Sequence, residues 1–186
     1  MNASDASRNA RSAVPWVTTA ARLGLGGVLI AAGGLKIGNP SESVVAVRAY
    51  ELLPDSVATT VGYALPIAEI VIGVLLVIGL MTRVAAVAAA LLMLAFVFGI
   101  AWAWANGLRI DCGCFGGGGE LGAGQEPTYL VDILRDFGFV LLGAWIVRFP
   151  PGRFALDRPL GLAGMDHLTT EEENGDGQGR PGEVGA

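Results

Sequence analysis

Charge is what this sequence has least of. Only 16% of its 186 residues are Asp, Glu, Lys or Arg, against roughly a quarter in soluble domains. Hydrophobic residues make up 53%, and the mean hydropathy is +0.56. A soluble core of this size has no need of such an apolar surplus, so membrane spans come before any soluble fold. The few Lys and Arg residues are scattered, which excludes a nucleic-acid surface, and the net charge of −5 marks no partner because the acids gather near the C-terminal end. Cysteine occurs only at Cys112 and Cys114, too few for the disulfide framework of a small secreted domain. Histidine occurs once, at His167 in a polar stretch, where solvation is the expected state.

What is present is a series of long apolar runs. Residues 1–15 are polar and read as a disordered cytoplasmic arm. The run that follows, about 16–35, is longer than a signal-peptide core and reads as an uncleaved anchor. It has about the 20 residues that a hydrocarbon layer demands. Ala20, Gly24, Gly27 and Ala31 form a small-residue stripe along it that suits close helix approach. Further spans are predicted at about 57–80, 84–105 and 128–149. Between the first two, Asn39, Pro40 and Glu42 read as N-cap, first helical residue and capping-box acid of a short interfacial helix ended by Pro54. The fold class is thus an all-α membrane protein, an antiparallel four-helix bundle with that interfacial helix after the first span. The membrane domain is 16–156. Residues 157–186 are glycine-rich and acidic, and form a tail unable to bury enough apolar area to fold.

Basic residues orient the bundle. Arg8, Arg11, Arg22, Arg83, Arg148, Arg153 and Arg158 lie toward one side; Lys36, Arg48 and Arg109 lie toward the other. The positive-inside rule puts both termini in the cytoplasm and the loop 106–127, with its two cysteines, outside the cell membrane. That is an oxidising compartment.

IDCGCFG is the segment with chemistry. A disulfide between Cys112 and Cys114 closes a very small ring, tolerable only because Gly113 is flexible, and Gly116–Gly119 let the loop move. Strained, exposed disulfides tend to exchange, so Cys112 and Cys114 are the candidate catalytic pair, passing oxidising equivalents to a partner thiol. Arg109 and the start of the fourth helix favour a thiolate while Asp111 opposes one. Cys114 is favoured as the exchanging thiol, being farther from Asp111. A static loop staple, part of a metal site completed by another chain, and incidental thiols are the competing readings; no metal is assigned to this chain alone.

Charges also fall inside the spans. Glu69 is placed near mid-membrane, where a carboxylate costs a few kcal/mol or more. Arg22 is placed at similar depth, and Arg135 nearer the outer face, accompanied by Asp132 and Asp136. A Glu69–Arg22 ion pair locking the bundle is one reading. The other is a polar pocket of Glu69, Arg22 and Arg135 beneath the cysteines, holding a quinone head group able to accept the two electrons and two protons that disulfide formation releases.

ARLGLGGVLIAAGGLKI, LLP, LPIAEIVIGVLLVIGLMTR, CGCFG and ILRD, in that order over about Ala21 to Val147, resemble the MauE family within the DoxX-like four-helix membrane proteins. The resemblance implies methylamine utilisation, with support for the maturation of a disulfide-rich methylamine dehydrogenase subunit beside an extracytoplasmic thioredoxin-like partner. Cys112 and Cys114 match the family's CGC and inherit the thiol–disulfide role. The rival expectation is a non-catalytic membrane subunit or assembly factor of a respiratory or other membrane complex; as partners, a membrane complex or further copies of the chain in a homo-oligomer are expected beside the lipid bilayer.

Overall fold

The computed structural model describes residues 3–122, 124–150, 152, 154–157 and 159–160. Five helices and one small hairpin account for them: α1 (Ala3–Ile37), α2 (Pro40–Ala49), α3 (Asp55–Ile78), α4 (Thr82–Ala105), the strand pair β1 (Ile110–Asp111) and β2 (Gly119–Glu120), and α5 (Tyr129–Arg148). Three stretches are long and apolar enough to cross a membrane: Ala13–Ile37 of α1, all of α3 and all of α4. α5 is of spanning length but carries Asp132, Arg135 and Asp136 in its first turns. Large apolar side chains such as Ile67, Val84, Leu91 and Phe98 stand exposed around the outside, where lipid satisfies them.

α1 already begins at Ala3, so the segment expected as a disordered arm is continuous with the first helix. Its Ala-rich stretch has no helix breaker before Pro15, and Thr19 returns a hydroxyl bond to the Pro15 carbonyl at 2.8 Å. Asn39 and Pro40 do start α2, but the Asn39 side chain makes no backbone cap. Its amide instead donates to Glu42 at 2.6 Å. Val44 and Ala46 of this helix are buried, so α2 is clamped onto α3.

Apolar attraction between helices is weak in lipid, and close backbone approach takes its place. The contact between α1 and α3 is made by Gly26 against Gly73 and by Gly33 against Pro66. A Cβ on Gly26 would lie 2.8 Å from the Gly73 carbonyl oxygen, and one on Gly33 would lie 2.6 Å from that of Pro66. This corrects the small-residue stripe read from the sequence: Ala20 and Ala31 are exposed, and Gly24 and Gly27 have nothing within 4 Å of a Cβ. The seam is on the other face of the helix, because glycine spacing alone does not say which stripe a partner takes. Gly73→Ala is therefore expected to cost about 1–3 kcal/mol, as overpacking commonly does, whereas Gly24→Ala and Gly27→Ala should be neutral or slightly stabilising. Thermal unfolding in one detergent checks this, and equal losses at all three sites would refute the seam.

Leu25, Leu29, Leu76, Ala86, Ala89, Met93 and Ile146 fill the core between α1, α3, α4 and α5. At one end, the turn between α3 and α4 is tied by Asp157. Its two carboxylate oxygens accept the backbone N–H groups of Met81 at 2.6 Å and Thr82 at 2.8 Å, capping the positive end of α4. Asp157 was expected to open the disordered tail; a buried anchoring acid is not visible as such in a polar run. The rest of the expected tail, 161–186 with His167, lies outside the described residues.

Candidate functional site

The other end of the molecule holds both cysteines. β1 and β2 pair antiparallel, Ile110 with Glu120 and Asp111 with Gly119, so Cys112 to Gly118 form the hairpin's closed tip. Tyr129, at the start of α5, pins the base: its hydroxyl accepts the Ile110 N–H at 3.0 Å and donates to the Leu108 carbonyl. Gly113 and Gly118 adopt φ of +66° and +96°. Cβ atoms on them would stand 2.8 and 2.7 Å from the Ala46 Cβ of α2. These glycines let the tip lie flat on α2, a packing role where the sequence reading assigned mobility. Tyr50 at the end of α2 donates its hydroxyl to the Cys112 carbonyl at 2.9 Å, and burial holds that phenol above its ordinary pKa, so it stays protonated.

α5 brings the charges. Positions i, i+3 and i+4 of a helix share a face, and here they are Asp132, Arg135 and Asp136. Arg135 binds Asp132 at 3.0 Å and Asp136 at 2.9 Å, lies over the Phe115 ring at 5.0 Å, and reaches the Cys112 sulfur at 3.8 Å. Thr128 steadies Asp132 through a 2.9 Å hydroxyl bond. The other oxygen of Asp136 faces the Cys114 sulfur at 3.7 Å.

The two thiols are consequently unequal. Cys112 is half-buried, while Cys114 is only 6% exposed. The Cys114 thiol and its backbone N–H both bond to the Cys112 sulfur, and Arg135 adds a third donor. Together they lower Cys112 to about 7, from an ordinary value near 8.5. The same bond to Cys112, with burial and the nearby Asp136 carboxylate, pushes Cys114 upward. The cluster thus presents one accessible sulfur that is substantially thiolate at neutral pH. Beneath it sits a protonated thiol beside a carboxylate able to take its proton.

Several sequence expectations change here. Cys114, favoured as the exchanging thiol, is the buried partner, because the fold turns Asp136 and not Asp111 toward it. Asp111 spends a carboxylate oxygen on the Gly113 N–H at 3.3 Å. Arg109 faces away, bonding the Gln125 carbonyl at 2.5 Å and Glu126 at 3.4 Å; the cation at the thiols is Arg135. Glu69, Arg22 and Arg135 do not share a pocket. Glu69 pairs with Lys36 at 2.5 Å, both fully enclosed. Arg22 packs over Gly79 beside Ala155 and interacts electrostatically with Asp157. Gly79 lies ten residues beyond Glu69 along α3, about 15 Å on the helix rise, so the expected Glu69–Arg22 pair does not form. Lys36 was missed because a lysine at the end of an apolar run reads as an orientation charge. Its ammonium also lies 5.4 Å from the centre of the Phe96 ring, and Phe96 packs against the apolar cluster that contains Cys114. Phe96 thus stands between the ion pair and the thiol cluster.

Residues 14–149 match the family model described as methylamine utilisation protein MauE. Among curated proteins, the methylamine utilization protein MauE of Paracoccus denitrificans is 37% identical over 152 residues, covering 81% of this chain and 79% of that protein. No solved structure matches the chain at a significant level.

Proposed function

The chain belongs to the MauE family, and from that premise we propose that it is a membrane thiol–disulfide exchange protein that oxidises an extracytoplasmic, thioredoxin-like partner. Family membership fits a role in methylamine utilisation, and the client of the partner is then a disulfide-bearing protein of that pathway. The observation that carries the reading is the unequal pair of thiols on the Arg135–Asp136 face of α5. In the proposed topology α5 is a fourth crossing, both termini are cytoplasmic and the hairpin tip is outside. The basic-residue asymmetry of the sequence supports it.

The exchange balances as follows. With Cys112 and Cys114 joined, a partner thiolate attacks the Cys112 sulfur; the internal S–S bond breaks and Cys114 leaves, taking up a proton with Asp136 at hand. The partner's second thiolate then attacks its own bridged sulfur and expels Cys112 as a thiolate. The partner ends as a disulfide, and its two electrons reside on the Cys112–Cys114 dithiol. A leaving thiolate of low pKa departs faster, and a stabilised reduced form makes its disulfide a stronger oxidant. Arg135 serves both by holding Cys112 as the anion. Reoxidation requires a two-electron, two-proton acceptor, and a membrane quinone is the class that matches.

The test is the pH profile of Cys112 alkylation by a membrane-impermeant thiol reagent added to intact, mildly reduced cells. The rate should rise through a midpoint near pH 7, because only the thiolate reacts. Arg135→Gln should move that midpoint upward, and Cys114→Ala should move it further, since the bond from Cys114 is the larger influence. Modification only after the membrane is breached would overturn the topology. A midpoint near that of a free thiol in all variants would overturn the assignment of Cys112.

A further inference from the structure

Two thiols one residue apart meet an oxidant differently from a single one. Cys112 stands half-buried at the hairpin tip, and Cys114 follows two positions on, so a product formed on the Cys112 sulfur has a second thiol beside it. The Cys114 N–H reaches that sulfur at 3.4 Å, and a guanidinium N–H of Arg135 reaches it at 3.8 Å. Arg135 is itself held in place. Asp132 binds it at 3.0 Å and Asp136 at 2.9 Å, and the Phe115 ring centre lies 5.0 Å from its guanidinium carbon. Fixed donors at a sulfur keep it an anion, and they stay in place to stabilise negative charge as it moves onto a departing atom. An accessible thiolate with a resolving thiol next to it is also where the cysteine oxidation ladder begins.

We propose that the pair reduces hydroperoxides, with Cys112 as the attacking thiolate, Arg135 stabilising the departing oxygen and Cys114 as the resolving thiol. The Cys112 sulfur attacks one peroxide oxygen. A sulfur–oxygen bond forms, the oxygen–oxygen bond breaks, and the departing oxygen takes the Cys114 proton and leaves as water or an alcohol. Cys112 is then a sulfenic acid. The Cys114 thiolate attacks its sulfur, the internal S–S bond forms, and hydroxide leaves to take a proton from solvent. Two electrons have passed from the thiols to the peroxide, and a disulfide remains. That disulfide is the form the exchange proposed above consumes, so the inference rests on that reading and adds a second class of two-electron acceptor to the quinone. Over a full cycle, a dithiol partner is oxidised at the expense of peroxide. The same oxygen–oxygen bond is offered by hydrogen peroxide in water and by a hydroperoxide on a lipid chain.

The experiment uses the full chain, reduced and placed in phosphatidylcholine nanodiscs. It is mixed with hydrogen peroxide, or carries phospholipid hydroperoxide in the disc, and its thiols are counted by quenched alkylation and mass spectrometry. With a pKa of about 7, Cys112 offers at neutral pH roughly 15 times the thiolate of an ordinary thiol near 8.5. The expected rate is about 100-fold above that of glutathione, the excess being the contribution of Arg135. The arm that reaches this rate names the source of the peroxide. Cys114→Ser should stop at a Cys112 sulfenic acid, captured by dimedone, and Cys112→Ser should not react. Arg135→Gln, compared with wild type at a pH where both are fully thiolate, should slow peroxide reduction about tenfold or more, while alkylation by iodoacetamide changes little. Thermal unfolding in the same discs shows whether that variant is folded; if it is not, the Cys114→Ser result decides. Rates within about 15-fold of glutathione in both arms, the gain that thiolate fraction alone gives, sink the proposal, as does the absence of a dimedone adduct in Cys114→Ser. A small aromatic disulfide is the control. Ready Cys112-dependent exchange with it beside inertness to peroxide removes this inference alone, whereas inertness to both removes the exchange reading as well.

Discussion

Cys114→Ser is expected to accumulate a covalent adduct with its thioredoxin-like partner, visible as a heavier band on a non-reducing gel, while Cys112→Ser carries little or none. Exchange proceeds through attack of a thiolate on a sulfur, via a mixed disulfide. Cys112 is the accessible sulfur and has a pKa of about 7, close to the value at which thiolate fraction and nucleophilicity are jointly favourable. When Cys114 is serine, the return attack from within the chain is lost and only the partner's second thiol can clear the bond to Cys112, so the adduct accumulates. Asp136→Asn extends the test with both cysteines intact. Cys114 then keeps its proton longer because the carboxylate 3.7 Å from its sulfur is gone, and its return attack on the mixed disulfide slows. The expected result is a partial adduct in Asp136→Asn, roughly tenfold or more above wild type, given that a positioned proton acceptor commonly contributes 100-fold or more. Adducts carried equally by the two cysteine variants would remove the asymmetry on which the mechanism depends. No adduct from either, with wild-type growth on methylamine, would leave the chain as an assembly subunit.

Lys36→Met is expected to be the most destabilising single substitution in the membrane domain. It strands the Glu69 carboxylate, whose Oε1 bonds Lys36 at 2.5 Å and whose Oε2 has no other protein partner among the described residues. Removing one member of a buried ion pair commonly costs about 3–5 kcal/mol, whereas replacing both by apolar groups is often near neutral. Lys36→Met with Glu69→Leu should therefore recover most of the loss, measured by thermal unfolding in a fixed detergent. Arg22→Met, some 15 Å away by helix rise, should add to Glu69→Leu without coupling, as distant sites do. Equal destabilisation in the Lys36 single and double variants, or strong coupling of Glu69 to Arg22, would contradict the observed pairing. The same double variant reports on the thiol site, because Lys36 lies over Phe96 and Phe96 packs against the cluster holding Cys114. If the pair acts on the cluster only through Phe96, alkylation of Cys112 should keep its midpoint.

Apolar length and punctuation were legible in the sequence. The runs that became α1, α3 and α4 exceed what any soluble helix of this composition needs, and Pro40 and Pro54 separate them at positions the structure keeps; the turn expected at 81–83 falls two residues earlier, between Ile78 and Thr82. The CGC pair stood out as the segment to examine because two thiols flank one glycine in a polar, glycine-rich loop. Arg135 was noticed because a charge in an apolar run is expensive. These signals are local: each depends on a residue and its immediate neighbours along the chain.

Pairing was decided only by tertiary structure. Glu69 needed a cation, and Arg22 was the one expected; helix packing selected Lys36 instead and turned Arg22 to the Asp157 end. Which cysteine becomes the thiolate depended on which side of the hairpin tip α5 presents Arg135 and Asp136, a matter of two elements meeting across more than twenty residues of chain. The choice of Gly26 and Gly33 over Gly24 and Gly27 as the α1 seam is of the same kind. A sequence states what each side chain can do, and burial costs state that charged ones must find partners. Only the packing of the helices brings a given pair within the few ångströms at which hydrogen bonds and ion pairs form.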